Sequence, residues 1–286
     1  MLNLTPLHFD KIWGYENWLA STHKDGAQPD FVSIAKNYPL LVKVIQADST
    51  LSVQVHPDDK TAAALEGDGN RGKTECWYVL DAKPGAKLVY GFKKDYSIEE
   101  IKNSIEKNTL ENLFNQAEVK KGDFVFIPAG TVHAIGGGLR LLEIQQSCNI
   151  TYRFYDWGRG RELHIEKGLK SVKNSEQIKK SLNAKMDEND FDLSKIAAFG
   201  SDFDCKYFEI VRKTVKGGYS YLVPKNGAAE LLFVISAEKL SVKSTDANEN
   251  KSEIKNLSPE QILAFSPGEK ATLEGSGEIF RIKAKN

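Results

Sequence analysis

The chain has 286 residues, 41% of them hydrophobic, and 39 lysines and arginines balance 39 aspartates and glutamates. That apolar share excludes a disordered chain, and zero net charge without a like-charge block at either end argues against nucleic acid or an anionic membrane as partner. The length accommodates one large domain or two of ordinary size. Cys76, Cys148 and Cys205 are odd in number and form no C-x-x-C pair, which reads as free thiols in a reducing compartment. The start, "MLNLTPLHFDKIWGYENW", has no basic segment followed by an apolar run, and no stretch reaches the ~20 apolar residues that span a bilayer. The expectation is a cytoplasmic protein with no membrane partner.

In chain order, "LLVKVIQA", "TLSVQVH", "TECWYVLDA" and "KLVYGF" read as strands, short, rich in β-branched and aromatic residues, and bounded by turn residues. A helical insertion follows. Ser97 and Glu100 have capping-box spacing, Ile98, Ile101 and Ile105 form an apolar stripe, and Thr109 is placed to cap a second short helix carrying Leu110, Leu113 and Phe114. "DFVFIPA", "LRLLEIQQ" and "ITYRFYDW" return to strand, and "HIEKGLKSVK" to helix. The polar stretch "NSEQIKKSLNAKMDENDFD" reads as a connection. Beyond it "KYFEIVRKTV", "SYLVP", "ELLFVIS", "LSVKS", "QILAFSP", "KATLEG" and "IFRIKA" read as strands, with Gly217-Gly218 as a hairpin signal between the first two. Many short strands with regular turns predict a mainly β fold of sandwich or barrel type, twice over.

"GDFVFIPAGTVH", residues 122 to 133, is the strongest local motif. Gly122 ends a turn, a strand runs to Ile127, and Pro128 with Gly130 turn the chain so that His133 opens the next strand facing the sheet interior. The spacing resembles the second motif of the cupin superfamily, in which that His binds metal. Upstream, Gln54 and His56 share one strand face in "SVQVHPDD", and Glu75 stands in "GKTECWYVL". Two imidazoles, a carboxylate and an amide suit zinc or another divalent first-row metal, one per chain. The second half has "SPGEKATLEG" at the corresponding place and no His, so only the first half is expected to hold metal.

Taken in order, "FDKIWG", "LSVQVHPDD", "GKTECWYVL", "GDFVFIPAGTVHAIG" and "EIQQSCNITYRFYDWGR" resemble the type I phosphomannose isomerase family in its short form. The resemblance is strong over roughly the first 165 residues. It implies two cupin-type jelly-roll barrels: a metal-binding domain over residues 1–175 with the helical insertion at 97–117, a connection over 176–204, and a metal-free cupin-like domain over 205–286. It also implies interconversion of mannose 6-phosphate and fructose 6-phosphate through an enediol, with a sugar phosphate as the small-molecule partner. Gln54, His56, Glu75 and His133 fall on the family's zinc ligands, Arg153 on its active-site arginine, and Lys73 on the lysine two residues before the liganding glutamate. Lys73 and Glu143 are the candidates for the proton shuttle and for contacts to the substrate, with Lys73 read equally as a shuttle or as a phosphate or hydroxyl contact. Arg153 either binds phosphate or steadies the enediolate, and Trp13 lines the pocket rim. Longer members carry a His where this chain has Gly72, so no mechanism relying on that His applies, and "KIWGYENW" lacks the family's second glycine beside Trp13. Two other readings of the same ligands are a metal-dependent oxygenase of the cupin type and a non-catalytic sugar-binding cupin. The Gln54 amide disfavours the first, and the lack of a basic DNA-binding helix pair disfavours the second.

Overall fold

A computed structural model describes residues 1–181, 197–198, 200 and 202–285. The chain is mainly β and forms two compact units, each discontinuous in sequence. One comprises Met1–Leu7, Trp18–Val42 and Gly200–Asn286, the other His8–Asn17 and Lys43–Phe199. Much of the expected connection over 176–204 lies outside the described residues. No described helix is long and apolar enough to cross a membrane.

The unit containing the C-terminal segment is built on three long antiparallel strands, Phe208–Leu222, Glu230–Thr245 and Lys270–Ala284. The sequence reads each of these as two strands, and the hairpin expected at Gly217-Gly218 is not formed. Gly217 lies opposite Gly275 and Gly218 opposite Glu274 in one continuous ladder. The glycines serve a bend instead. A side chain at Gly275, with φ of +117°, would meet the Lys239 carbonyl oxygen at 2.3 Å, and one at Gly277 would meet that of Ser236 at 2.4 Å. The partner strand is irregular at the same level, between Val234 and Ser236 and between Glu238 and Ser241. Residues from both sides of the bend, Leu232 and Val242 on one strand and Leu273 and Ile279 on another, therefore share a single apolar core. The sheet curls over its own core.

The other unit carries the site. A five-stranded sheet has the order Phe114–Glu118, Lys87–Phe92, His133–Ile135, Val53–Val55, Tyr152–Tyr155. In a second sheet Asp123–Ile127, Glu75–Ala82 and Leu139–Gln146 lie side by side, and the order continues through Leu40–Ala47. Neither sheet closes on itself, so the expected closed barrels are replaced by open sheets with free edge strands. The reason is visible in the pairing: the five-stranded sheet ends at Phe114–Glu118 and Tyr152–Tyr155, which do not pair with each other.

The two-residue period of a strand assigns each face. Leu88, Tyr90 and Ile135 of the first sheet pack with Trp77, Val79 and Leu141 of the second in one buried cluster. Val53, Val55, Val89, Val132, Ala134, Tyr152 and Phe154 point the other way, against Ile101, Leu110 and Leu169. Those last residues belong to the helices Ile98–Glu106 and Ile165–Ser171 and the 3-10 turn Leu110–Leu113. The capping box forms, with Ser97 Oγ accepting from the Glu100 N–H and the Glu100 carboxylate accepting from the Ser97 N–H. Of the predicted stripe Ile101 is buried and Ile98 is exposed. Thr109 makes no side-chain cap, and the chain turns to strand at Phe114.

Candidate metal centre

With Val53 and Val55 facing the helices, Gln54 and His56 face between the sheets. His133 does so too, because Val132 and Ala134 point outward. Gln54 pairs in register with His133 on one side and Arg153 on the other, so three strands set these side chains in one row. On the opposing sheet, Trp77 and Val79 face the core, so Glu75 does as well. Leu141 and Ile45 place Glu143 and Lys43 on that same inner face. The inner surface is thus apolar along most of its length and turns polar at one end.

His56, Glu75 and His133 each offer a ligand atom within 4.8 Å of the others. Glu75 Oε2 is 3.6 Å from His56 Nε2, and Glu75 Oε1 is 3.3 Å from His133 Nε2. Both imidazoles are oriented by main-chain carbonyls, His56 Nδ1 to Ile150 O and His133 Nδ1 to Thr131 O, each at 2.9 Å. A ring that donates from Nδ1 keeps a lone pair on Nε2, and both lone pairs point at the carboxylate. His56 Nε2 and Glu75 Oε1 are buried without a hydrogen-bond partner, and Glu75 Oε2 has the Lys73 ammonium at 3.0 Å. Buried polar atoms are rarely left this way, and a divalent cation satisfies all of them at once. Gln54 Nε2 is 3.2 Å from His133 Nε2; turning the amide over presents its oxygen to the same point. The four residues fit a metal.

Burial keeps both histidines neutral, pushing His133 down to about 4 and His56 well below its ordinary value. Burial, helped by the neighbouring Glu143 charge, pushes Glu75 up to about 7 in spite of Lys73 Nζ at 3.0 Å. Metal uptake below pH 7 must therefore displace one proton, from Glu75, and none from the imidazoles. Metal affinity should rise about tenfold per pH unit from pH 5 to 7 and level off above. Calorimetry in buffers of different ionisation enthalpy at pH 6 should count about one proton released. Two released protons would mean that a histidine titrates in this range.

Around the quartet, Lys73 Nζ also lies 4.0 Å from Glu143 Oε1. Glu143 accepts from Trp77 Nε1 at 2.8 Å, and Lys43 Nζ is 3.0 Å away. Burial works to raise Glu143, but Lys43 and then Lys73 outweigh it and hold the carboxyl down at about 2. Arg153 donates from Nε to Ser52 Oγ at 3.2 Å and from Nη1 to Glu162 O at 2.8 Å. Trp13 is buried in the apolar cluster with Ile45, Leu51 and Trp77. The thiols of Cys76, Cys148 and Cys205 are buried.

Residues 15–75 match the family model of the phosphomannose isomerase type I catalytic domain. The mannose-6-phosphate isomerase of Streptococcus mutans is 48% identical over 138 residues, covering 46% of this chain and 43% of that one. The resemblance is to type I phosphomannose isomerase. A Bacillus subtilis mannose-6-phosphate isomerase, ManA, is 44% identical over 141 residues, covering 47% of this chain and 44% of that one. The match thus spans less than half the length of these curated relatives. Among solved structures, the mannose 6-phosphate isomerase from Bacillus subtilis superposes with a TM-score of 0.75 at 23% identity, covering 98% of both chains. The apo form of the enzyme from Salmonella typhimurium gives 0.61 at 14% identity over 99% of both. At these identities the two structures share the fold.

Sequence reading passed over Lys43, the one charged residue in "LLVKVIQA". It is buried and bridges Glu143 and Glu16, the latter at 3.7 Å. A single lysine in an apolar strand was the only signal. Ser52, two residues before Gln54 and so on the same face, was available from the period alone. At Gly72, where longer type I phosphomannose isomerases carry a His, a side chain would meet the Asp58 carbonyl carbon at 2.4 Å and the Asp59 nitrogen at 2.5 Å. The backbone leaves no room for an imidazole there.

Proposed function

We propose that the chain is a metal-dependent mannose-6-phosphate isomerase that interconverts mannose 6-phosphate and fructose 6-phosphate through an enediol. The observation that carries this reading is the convergence of two Nε2 lone pairs on the buried Glu75 carboxylate beside Gln54. Gln54, His56 and Glu75 lie within residues 15–75, which match the type I family model. Gln54, His56, Glu75 and His133 would hold one divalent first-row ion per chain, zinc being one that this mixed nitrogen and oxygen set suits. The metal, when bound, would supply a Lewis acid for the charge that develops on the sugar oxygens.

The chain's own residues carry the remaining work. Moving a proton between C1 and C2 needs one group on one face of the sugar that takes it up and returns it. Glu143, held ionised by Lys43 and tied to Trp77, is a weak proton acceptor and serves to fix Lys43 and Lys73 in place. That leaves Lys73 for the shuttle. Arg153, in register with Gln54, presents a guanidinium to the charge that develops on oxygen. Trp13 contributes to the wall behind the pocket. Both halves are proposed to be cupin-type jelly rolls in topology, with metal chemistry confined to residues 1–175, the C-terminal half beyond 205 metal-free, and the protein working in the cytoplasm on a soluble sugar phosphate.

An assay coupled to fructose 6-phosphate consumption tests the function. Turnover of mannose 6-phosphate should vanish on dialysis against a chelator and return with one equivalent of zinc. A metal-loaded chain that leaves mannose 6-phosphate untouched would sink the reading. For Lys73→Met, metal content should be retained while turnover falls by about 100-fold or more, the usual size of a positioned acid–base contribution. Solvent deuterium incorporation into the recovered substrate should stop in that variant. Incorporation at the wild-type rate would remove Lys73 as the shuttle.

A further inference from the structure

The segment that delivers Lys73 and Glu75 is held by an arrangement the chemistry above does not use. The antiparallel ladder between Leu139–Gln146 and Glu75–Ala82 ends at the pair Gln145 and Glu75. One residue further, the Gln146 N–H still donates to Thr74 O at 3.0 Å. The reciprocal bond is missing, because the Gln146 carbonyl accepts from Cys148 N at 2.7 Å and Gln145 Nε2 at 2.8 Å. The Gln146 side chain takes over, and its Oε1 accepts from the Thr74 N–H at 2.8 Å. Its Nε2 donates to Asp59 Oδ1 at 3.0 Å, and the same Asp59 oxygen accepts from the Gly72 N–H at 3.0 Å. Lys73 N donates to Pro57 O at 3.0 Å, and Thr74 Oγ1 accepts from Ala129 N at 3.3 Å.

The pair therefore ties residues 72–74 to the 54–59 segment, and Thr74 passes the link on to Ala129 in the segment that leads to His133. Gln146 is buried, and its bond to the Thr74 N–H has no water to replace it. We propose that Gln146 and Asp59 are positioning residues, which set the path of residues 72–74 so that Glu75 meets both imidazoles and Lys73 reaches the same point. This rests on reading the quartet as a metal site.

The test exchanges the two functional groups. In Gln146→Glu, an oxygen still accepts from Thr74, but two carboxylates face each other where a donor and an acceptor stood. Zinc affinity, by competition with a chromophoric chelator at pH 7.5, should fall at least about tenfold, within the range seen when groups that orient metal ligands are lost. Adding Asp59→Asn removes the facing charge and lets an amide N–H donate to the new carboxylate, at the cost of the Gly72 bond, because one Asp59 oxygen serves both partners in the wild type. The double variant should therefore bind zinc measurably more tightly than Gln146→Glu, though less tightly than wild type. Unfolding midpoints are measured alongside, because a residue that is only structural would move the midpoint and leave metal affinity alone. Wild-type affinity in Gln146→Glu, or no recovery in a folded double variant, would overturn the positioning role. A wild-type chain that binds no zinc would instead remove the metal-site reading beneath it.

Discussion

Replacement of His133 by alanine is expected to give a folded protein that has lost more than about 100-fold in metal affinity, since even groups that merely orient a ligand are worth 10- to 100-fold. His133 supplies one of the two lone pairs aimed at Glu75, and no other described side chain stands ready to replace it. The fold should survive, because apart from its neighbours in the metal centre the ring makes only a hydrogen bond to Thr131 O and an edge-on contact with Trp77 at 5.4 Å among the described residues. Both neighbours are anchored independently, Thr131 by its turn to Pro128 and Trp77 by Glu143. Isomerase turnover should become undetectable at stoichiometric zinc. Metal analysis of the dialysed variant, with circular dichroism as a control, gives the answer. Full metal occupancy with normal turnover would contradict the ligand assignment.

Lys43→Met is expected to cost about 3–5 kcal/mol of stability, the range for breaking a buried ion pair by removing one partner. Lys43 is buried, and burial by itself opposes its charge. Glu143 at 3.0 Å and Glu16 at 3.7 Å outweigh that and hold the ammonium protonated. Methionine keeps the length of the chain and removes only the charge, so Glu143 is left in a low-dielectric site with Trp77 Nε1 and the more distant Lys73. Chemical denaturation should show the loss as a lower midpoint at unchanged slope. The double variant Lys43→Met with Glu143→Gln should recover part of it, because no uncompensated carboxylate remains. A Lys43→Met midpoint equal to wild type would show that the pair is solvated in solution.

The residues legible from the sequence are those whose role follows from local periodicity. Gln54 and His133 sit on strands and His56 directly follows the end of one, and their neighbours alternate cleanly, so their shared orientation follows from spacing alone. The capping box at Ser97 is legible for the same reason, being a four-residue pattern. What the sequence hides is non-local. Lys43 and Glu143 are 100 positions apart, and nothing near either announces the other. Gln146 acts as a ladder rung only because its own carbonyl is taken by Cys148 and Gln145. Gly217-Gly218 is misread because the same residue that permits a hairpin also permits close strand approach. Only the facing Gly275 and the irregular partner strand decide between the two. Sheet closure is likewise a property of which edges meet, so the barrels that the family resemblance implies are not closed, and the sheets stay open.

Anomalous diffraction from zinc-loaded crystals, recorded on both sides of the zinc absorption edge, locates the metal. One strong peak per chain is expected, about 2.0–2.1 Å from the Nε2 atoms of His56 and His133 and about 2.0–2.2 Å from a Glu75 carboxylate oxygen, with the Gln54 amide turned oxygen-first. A peak ligated through Nδ1, a peak beyond residue 205, or no peak at full zinc loading would contradict this metal centre.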